Sequence, residues 1–264
     1  MEQASEALKK KVREYWNAHP CGTQFSHTDW GTKDFFDEVE RVRYTIQPFM
    51  RELVNFERFP GKQLLEIGCG LGTDLLQFAR GGALVTGVDL TPKSVELAKA
   101  GFALHGLPMR ALVADAENLP FEDNSFDVVY SFGVLHHTPN TARAIDEAYR
   151  VLKPGGKIIL MLYHRHSLHV YLGVPLFWLS GKIHKGKSSV LEDFIRIYDG
   201  AENPLGKAYS RSEARLMMRN FSNLTVTICD PIRRKYPRAA NALNQLLFAP
   251  WLGFWMVLKG EKRP

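Results

Sequence analysis

Leu64-Leu65-Glu66-Ile67-Gly68-Cys69-Gly70-Leu71-Gly72-Thr73-Asp74 decides the fold of this 264-residue chain. Leu64, Leu65 and Ile67 make a short buried strand around Glu66. The backbone then turns through Gly68, Gly70 and Gly72 into a helix whose apolar spacing is Leu75, Leu76, Phe78, Ala79. Glycines suit a sharp turn at a strand end that must let a ligand lie against the backbone. The free amides at the helix start favour a carboxylate or a phosphate. By itself such a turn serves NAD, FAD and S-adenosylmethionine sites alike.

The residues that follow narrow the choice. The spacing is Gly-x-Gly-x-Gly, not the Gly-x-Gly-x-x-Gly of dinucleotide enzymes. A second strand, residues 83–88, ends in Asp89, roughly 20 residues after the first glycine, the place of an acid that binds ribose hydroxyls. A third, about 110–114, ends in Asp115-Ala116-Glu117-Asn118-Leu119-Pro120-Phe121. A fourth, 126–131, runs on into Phe132-Gly133-Val134-Leu135-His136-His137. A helix closes with Val151-Leu152-Lys153-Pro154-Gly155-Gly156-Lys157 and leads to a strand over 158–162. Strand and helix in alternation demand a parallel sheet with right-handed crossovers and helices on both faces. Ligands then bind beyond the carboxyl ends of the strands, where Gly68, Asp89, Asp115 and Ser131 converge.

This ordered series resembles the class I S-adenosylmethionine-dependent methyltransferases. Within them it is most similar to the small-molecule group, methyltransferase type 11, that includes the menaquinone- and ubiquinone-type C-methyltransferases. The match is detailed over residues 60–163 and looser towards the C-terminus. It implies an α/β, Rossmann-like doubly wound sheet of seven strands, mostly parallel with an antiparallel last strand, plus N-terminal helices and a cap insertion. It also implies S-adenosyl-L-methionine as cofactor and S-adenosyl-L-homocysteine as product. By the same resemblance Gly68, Cys69, Gly70 and Gly72 face the methionine part, and Glu66 orients its amino group. Asp89 accepts from the ribose hydroxyls, Leu90 flanks the adenine, and Asp115 with the Ala116 amide reads the adenine edge. Ser131 lies near the methyl, and Asp127 supports the start of its strand.

Composition adds bounds. The chain is long enough for one domain with a sizeable core and a cap, and its 45% apolar and 23% charged residues are ordinary globular values. No apolar run approaches a membrane span, and the polar start Met1-Glu2-Gln3-Ala4-Ser5-Glu6 does not read as a signal peptide. Cys21, Cys69 and Cys229 are scattered without metal spacing and read as reduced, which places the protein in the cytoplasm. The net charge of +6 is spread thinly, with small clusters at 182–187, 233–235 and 259–263. No run of five like charges occurs, so a solvated surface is favoured over nucleic acid.

Along the chain, Leu8, Val12, Tyr15 and Trp16 share one helical face. Pro20-Cys21 resembles the nucleophile of cytosine C5-methyltransferases, but it stands in an N-terminal turn rather than after a core strand. Thr32 caps a second helix through Phe35, Phe36, Val39, Val42 and Ile46, and Pro48 interrupts it. Residues 1–59 are expected to form a helical lid, 60–163 the cofactor-binding core, 164–204 a substrate-selecting cap and 205–264 the rest of the core sheet. About 40 residues from Tyr163 to Pro204 exceed a normal connection, so short helices are expected there. Ser210 or Ser212 caps a helix, and strands are expected over 224–229 and 253–259. Trp251, Phe254 and Trp255 fit the family's closing hairpin strand better than a membrane anchor.

Candidate bases are His136, His137, His164, His166 and Tyr163, because histidine exchanges a proton near neutral pH and histidines after the fourth strand border the acceptor pocket in the family. His164, His166 and His169 lack a cysteine or carboxylate beside them, so no metal is expected. After the fourth strand stands Ser131-Phe132-Gly133-Val134, not the Asn/Asp-Pro-Pro-Tyr/Phe motif of adenine- and glutamine-amine methyltransferases. The expected activity is methyl transfer to a small-molecule O, C or S acceptor, by a single chain or a homodimer. A thiol S-methyltransferase working by positioning, and an RNA or protein methyltransferase using the basic patches, are the alternatives.

Overall fold

The computed structural model describes residues 2–181, 190–200, 202–230 and 237–264. The basic clusters at 182–187 and 233–235 lie outside the described residues. Three helices come first: α1 (Glu2–Ala18), α2 (Lys33–Ile46) and α3 (Phe49–Val54). Thr32 caps α2 as its side chain accepts from the Phe35 amide, and Gly22 turns the chain between α1 and α2 at φ 100°. The core then alternates as the pattern requires: β1 (Gln63–Ile67), α4 (Thr73–Arg80), β2 (Leu84–Asp89), α5 (Pro92–Leu104), β3 (Arg110–Val113), β4 (Phe126–Phe132), α6 (Thr141–Val151) and β5 (Leu152–His164). Thr91 caps α5 with Pro92 at its first position, and Asn140 caps α6.

The C-terminal part supplies α7 (Leu168–Leu179), α8 (Val190–Asp199), β6 (Ala208–Tyr209), α9 (Arg211–Met217), β7 (Phe221–Cys229), α10 (Arg238–Leu243), α11 (Ala249–Leu252) and β8 (Trp255–Lys262). A π-turn over Asn244–Phe248 joins α10 to α11. The expected short helices of the 164–204 insertion are α7 and α8. Ser210 forms a reciprocal capping box with Glu213 at α9.

The sheet order is β3-β2-β1-β4-β5-β8-β7, with two-residue β6 beside the end of β5. β1 to β5 are parallel, and β8 runs antiparallel between β5 and β7. The seven-stranded expectation therefore holds, with one short strand added. Leu64, Val128 and Tyr130 point into the core layer shared with Leu75 and Phe78 of α4. Leu65, Ile67 and Val129 point into the opposite layer with Ala144, Ile145 and Ala148 of α6. Both faces are covered, as central parallel strands require.

One placement corrects the sequence reading. Trp251 is not in the closing strand but in α11, 69% exposed, whereas Phe254 and Trp255 are buried. The chain ends α11 and turns into β8 at Gly253, whose missing Cβ would lie 2.4 Å from the Cys229 carbonyl oxygen and 2.6 Å from that of Ala249. Gly253→Ala, at an ordinary φ of −64°, is therefore a steric test of this corner. It should cost about 2–3 kcal/mol of stability in urea unfolding, because both opposing atoms are backbone.

Candidate active site

The carboxyl ends of β1, β2, β4 and β5 open into a cavity of about 1020 Å³. At its floor the Gly68 and Cys69 amides both donate to the Val88 carbonyl, at 2.7 and 3.0 Å, and fold the chain back over β2. Gly68, Gly70 and Gly72 all have positive φ, at 75°, 52° and 75°. They do different things. A Cβ on Gly68 would run into Val134 at 2.3 Å, and one on Gly72 would press on Ala98 and Phe102 of α5. Only Gly70 has nothing nearer than the Cys21 carbonyl at 3.9 Å, on the cavity side. Gly72 serves helix packing and does not line the cavity, which corrects the expectation that it faces a ligand.

Asp89 is held by three donors. Its Oδ1 accepts from the Thr91 amide (2.9 Å) and hydroxyl (2.8 Å), and its Oδ2 from the Gly70 amide (3.0 Å). Leu90 and Ala116 line the cavity beside it. Asp115 caps its own turn through the Glu117 amide (2.9 Å), and its Oδ2 meets Lys9 of α1 at 2.6 Å. Glu66 is 4% exposed and lines the cavity, and its Oε2 makes no hydrogen bond among the described residues. Burial, and then the nearby Asp74 charge, push its pKa well above the usual carboxylate value. An unpartnered buried carboxylate oxygen facing a cavity is a seat for a cation.

Beneath Glu66 lies a group that the sequence did not reveal. Asp74, in the first turn of α4 and 3% exposed, takes four donors. Arg43 Nε (2.7 Å) and Tyr44 Oη (2.8 Å) reach its Oδ1, while Arg43 Nη2 and Tyr130 Oη (2.8 Å) reach its Oδ2. An acid at a helix start reads from sequence as a partner of the helix dipole, so nothing local distinguished it.

At the other end, α8 delivers Ile197, Tyr198 and Asp199 to the cavity, and α1 delivers Trp16. Tyr163 Oη donates to Asp199 Oδ1 at 2.6 Å, and Tyr15 Oη to the Asp199 carbonyl at 3.2 Å. His137 Nδ1 lies 2.6 Å from the Leu205 carbonyl oxygen, which only accepts, so that nitrogen carries the proton. Its Nε2 faces Asp199 Oδ2 at 3.4 Å. Burial pushes Asp199 above the usual carboxylate pKa and holds His136 well below that of an ordinary histidine. His136, His137 and Asp199 also stand close enough to share one cation, their ligand atoms lying within 4.8 Å of one another.

Besides Gly72, four expected site residues fall outside the cavity. Ser131 donates to the Ile67 carbonyl across the sheet (2.9 Å), which points its hydroxyl away from the opening. His164 is tied to the Gly253 carbonyl (3.1 Å). His136 is fully buried under the Tyr163 ring, centroids 3.9 Å apart, and neither of its nitrogens has a partner among the described residues. His166, the fifth candidate, is outside as well, bonded to Tyr171 Oη (2.9 Å).

Residues 65–160 match the family described as a methyltransferase domain. Residues 65–160 thus carry a methyltransferase domain. The chain is similar to the sterol 4-C-methyltransferase strm-1 of Caenorhabditis elegans, 43% identical over 36% of this chain and 29% of that protein. It is 41% identical to the phthiotriol/phenolphthiotriol dimycocerosates methyltransferase of Mycobacterium leprae over 58% of this chain and 60% of that one. The chain thus spans less than two thirds of the length of either relative. Among solved structures, magnesium protoporphyrin IX methyltransferase from Synechocystis, with bound S-adenosylhomocysteine, superposes with a TM-score of 0.61. That likeness covers 97% of this chain and 99% of the other at 18% identity, and it concerns the fold.

In the methyltransferase domain the Asp74 cluster joins α2, α4 and β4 directly below the glycine turn. Asp74→Ala leaves a largely enclosed guanidinium and two phenols without their acceptor. It should destabilise the protein by about 3–5 kcal/mol in denaturant titration, and Asp74→Asn, which keeps one acceptor oxygen, by less. Equal stability of all three proteins would show that the cluster is not structural.

Proposed function

We propose that this chain transfers a methyl group from S-adenosylmethionine to a small, largely apolar acceptor, at oxygen, carbon or sulfur, and releases S-adenosylhomocysteine. The observation that carries this reading is Glu66 Oε2, buried at the cavity without a hydrogen bond among the described residues, beside a glycine turn that only Gly70 leaves open. Bound there, the cofactor would supply a methyl group on a sulfonium cation. Glu66 Oε2 fits its ammonium group, and the amides at the start of α4 favour its carboxylate. Asp89, oriented by Thr91 and Gly70, keeps a lone pair on Oδ2 for a ribose hydroxyl. Leu90 and Ala116 flank the adenine. Asp115 keeps capacity for the adenine edge beside its bond to Lys9.

The acceptor belongs at the far end, between Trp16, Phe132, Tyr198 and Trp255, which line an apolar enclosure. The polar exception is the His137–Asp199 pair. With the Nδ1 proton committed to Leu205, His137 turns Nε2 towards a carboxylate oxygen, and an acceptor O–H placed between them has two bases to donate to. His137 takes the proton, and Asp199, steadied by Tyr163, stabilises the imidazolium that forms. His136 packs beneath Tyr163 and acts by positioning. The enclosure supports a small molecule over RNA. So do two cations of the 259–263 cluster: Lys259 is spent on the Leu53 carbonyl, and Lys262 on Asn124 and the Arg150 carbonyl.

A panel of phenols, enols, quinols and thiols with labelled cofactor tests the reading, and label on none of them counts against it. Asp89→Ala should weaken cofactor binding by about 1–3 kcal/mol in calorimetry through loss of a charged acceptor. Unchanged affinity in a folded variant removes Asp89 from the site.

On an O- or C-acceptor, His137→Asn should lower the maximal rate by about 100-fold or more while cofactor affinity survives. The pair works with Asp199 ionised. Burial raises the pKa of Asp199, so the rate should decline on acidification at a higher pH than an ordinary carboxylate would give, and the limb should flatten in Asp199→Asn. A flat profile with full activity in both variants excludes this pair as the base. A rate that instead follows ionisation of the acceptor marks a thiol substrate.

A further inference from the structure

Large apolar side chains stand in water on two separate helices. On α7, Leu172, Leu176 and Leu179 recur at i, i+4 and i+7, exposed by 57%, 63% and 74%. On the arm from α10 to α11, Leu246, Leu247 and Trp251 are exposed by 76%, 53% and 69%. Scattered single exposures are ordinary, but concentration on one region is not. The start of α7 lies close to the end of α11. The ring of His169, in the first turn of α7, lies 5.0 Å from Phe254, and α11 ends at Gly253, the residue before it.

The same region is cationic. Arg211, on α9, reaches the carbonyls of Pro250 and Trp251 in α11, both at 3.4 Å. Arg215 and Arg219 follow at i+4 and i+8 and are exposed. None of the three pairs with a carboxylate among the described residues.

We propose that α7, α9 and the α10–α11 arm form a face that docks on an anionic lipid surface. Leucines fit the acyl boundary, and Trp178 and Trp251 suit the headgroup level, where an indole keeps a polar edge. Arginines beside them fit lipid phosphates. Leu216, 64% exposed between Arg215 and Arg219, continues the apolar component onto α9. Among the described residues no helix is long and apolar enough to cross a membrane, so the contact is peripheral. The face lies one helix from the cavity, because α7 packs on α8 and α8 supplies cavity wall. The proposal rests on the surface alone and stands whether or not the acceptor chemistry above is right.

Co-sedimentation of the full chain with vesicles tests it and needs no turnover. Vesicles of phosphatidylcholine with phosphatidylglycerol should bring the protein down, phosphatidylcholine alone less so, and added salt should reverse the difference. Leu246→Ser with Trp251→Ser should lower partitioning about tenfold or more on both vesicle types. Arg215→Ser with Arg219→Ser should lower it about tenfold on anionic vesicles only. All four positions are exposed, and an unchanged thermal midpoint confirms that each variant folds. Absence of sedimentation with anionic vesicles overturns the proposal, as does binding indifferent to both double substitutions. Sedimentation equilibrium showing a dimer that the Leu246 and Trp251 substitutions dissolve, without vesicle binding, assigns the face to a second copy of the chain instead.

Discussion

Everything at the cofactor end depends on how Asp74 is satisfied. A carboxylate this deeply enclosed survives only if its lone pairs are filled, and here four donors from two elements, α2 and β4, fill them. Tyr130 comes from the middle of the sheet, Arg43 and Tyr44 from a helix far earlier in the chain. The cluster thereby fixes α2 against the start of α4, and with it the turn through which the glycines pass. Arg43 offsets the Asp74 charge only in part, and the remainder helps burial to raise the Glu66 pKa. Glu66, one layer up, keeps its Oε2 at the cavity without a hydrogen bond among the described residues.

The cofactor half was legible in the sequence because its determinants are local. A strand, a glycine turn and a helix occur within a dozen residues, and Asp89 and Asp115 each end a strand whose pattern is plain. Local reading erred where a residue's task depends on what faces it. Gly72 is a glycine for α5, whose Ala98 and Phe102 lie against it, and no feature of the turn separates that need from a ligand's. Ser131 ends the right strand, but its hydroxyl is consumed by the Ile67 carbonyl of the adjacent strand. His164 stands one residue after Tyr163 and points the opposite way, as strand alternation dictates. Tyr163 therefore reaches the cavity and His164 does not.

The acceptor half was not legible, because it is assembled from segments that only the fold brings together. Asp199 in sequence is an acid before Gly200 at the end of an amphipathic stretch, an ordinary helix end. Its significance comes from Tyr163 on β5, His137 after β4 and Tyr15 on α1, which approach it from three directions. The aromatic residues of α1 read equally well as packing or as lid. Trp16 lines the cavity against His137, with ring centroids 5.3 Å apart, and Tyr15 holds the Asp199 backbone.

That convergence has a physical consequence for how the two halves work together. The proton on His137 Nδ1 is placed by Leu205, in the segment that follows α8, and the carboxylate opposite Nε2 is placed by α8 itself. Neither the tautomer nor the facing charge exists until the cap has packed on the core. Lys9 of α1 meanwhile binds Asp115 at the cofactor end, while Trp16 and Tyr15 of the same helix touch the acceptor end. One helix thus lines both ends of the cavity, and α8 walls its far end. A low-dielectric enclosure strengthens the His137–Asp199 interaction and removes water that would compete for the acceptor's proton. On the proposed function, the base would therefore act only within the enclosure that also keeps solvent from the methyl group.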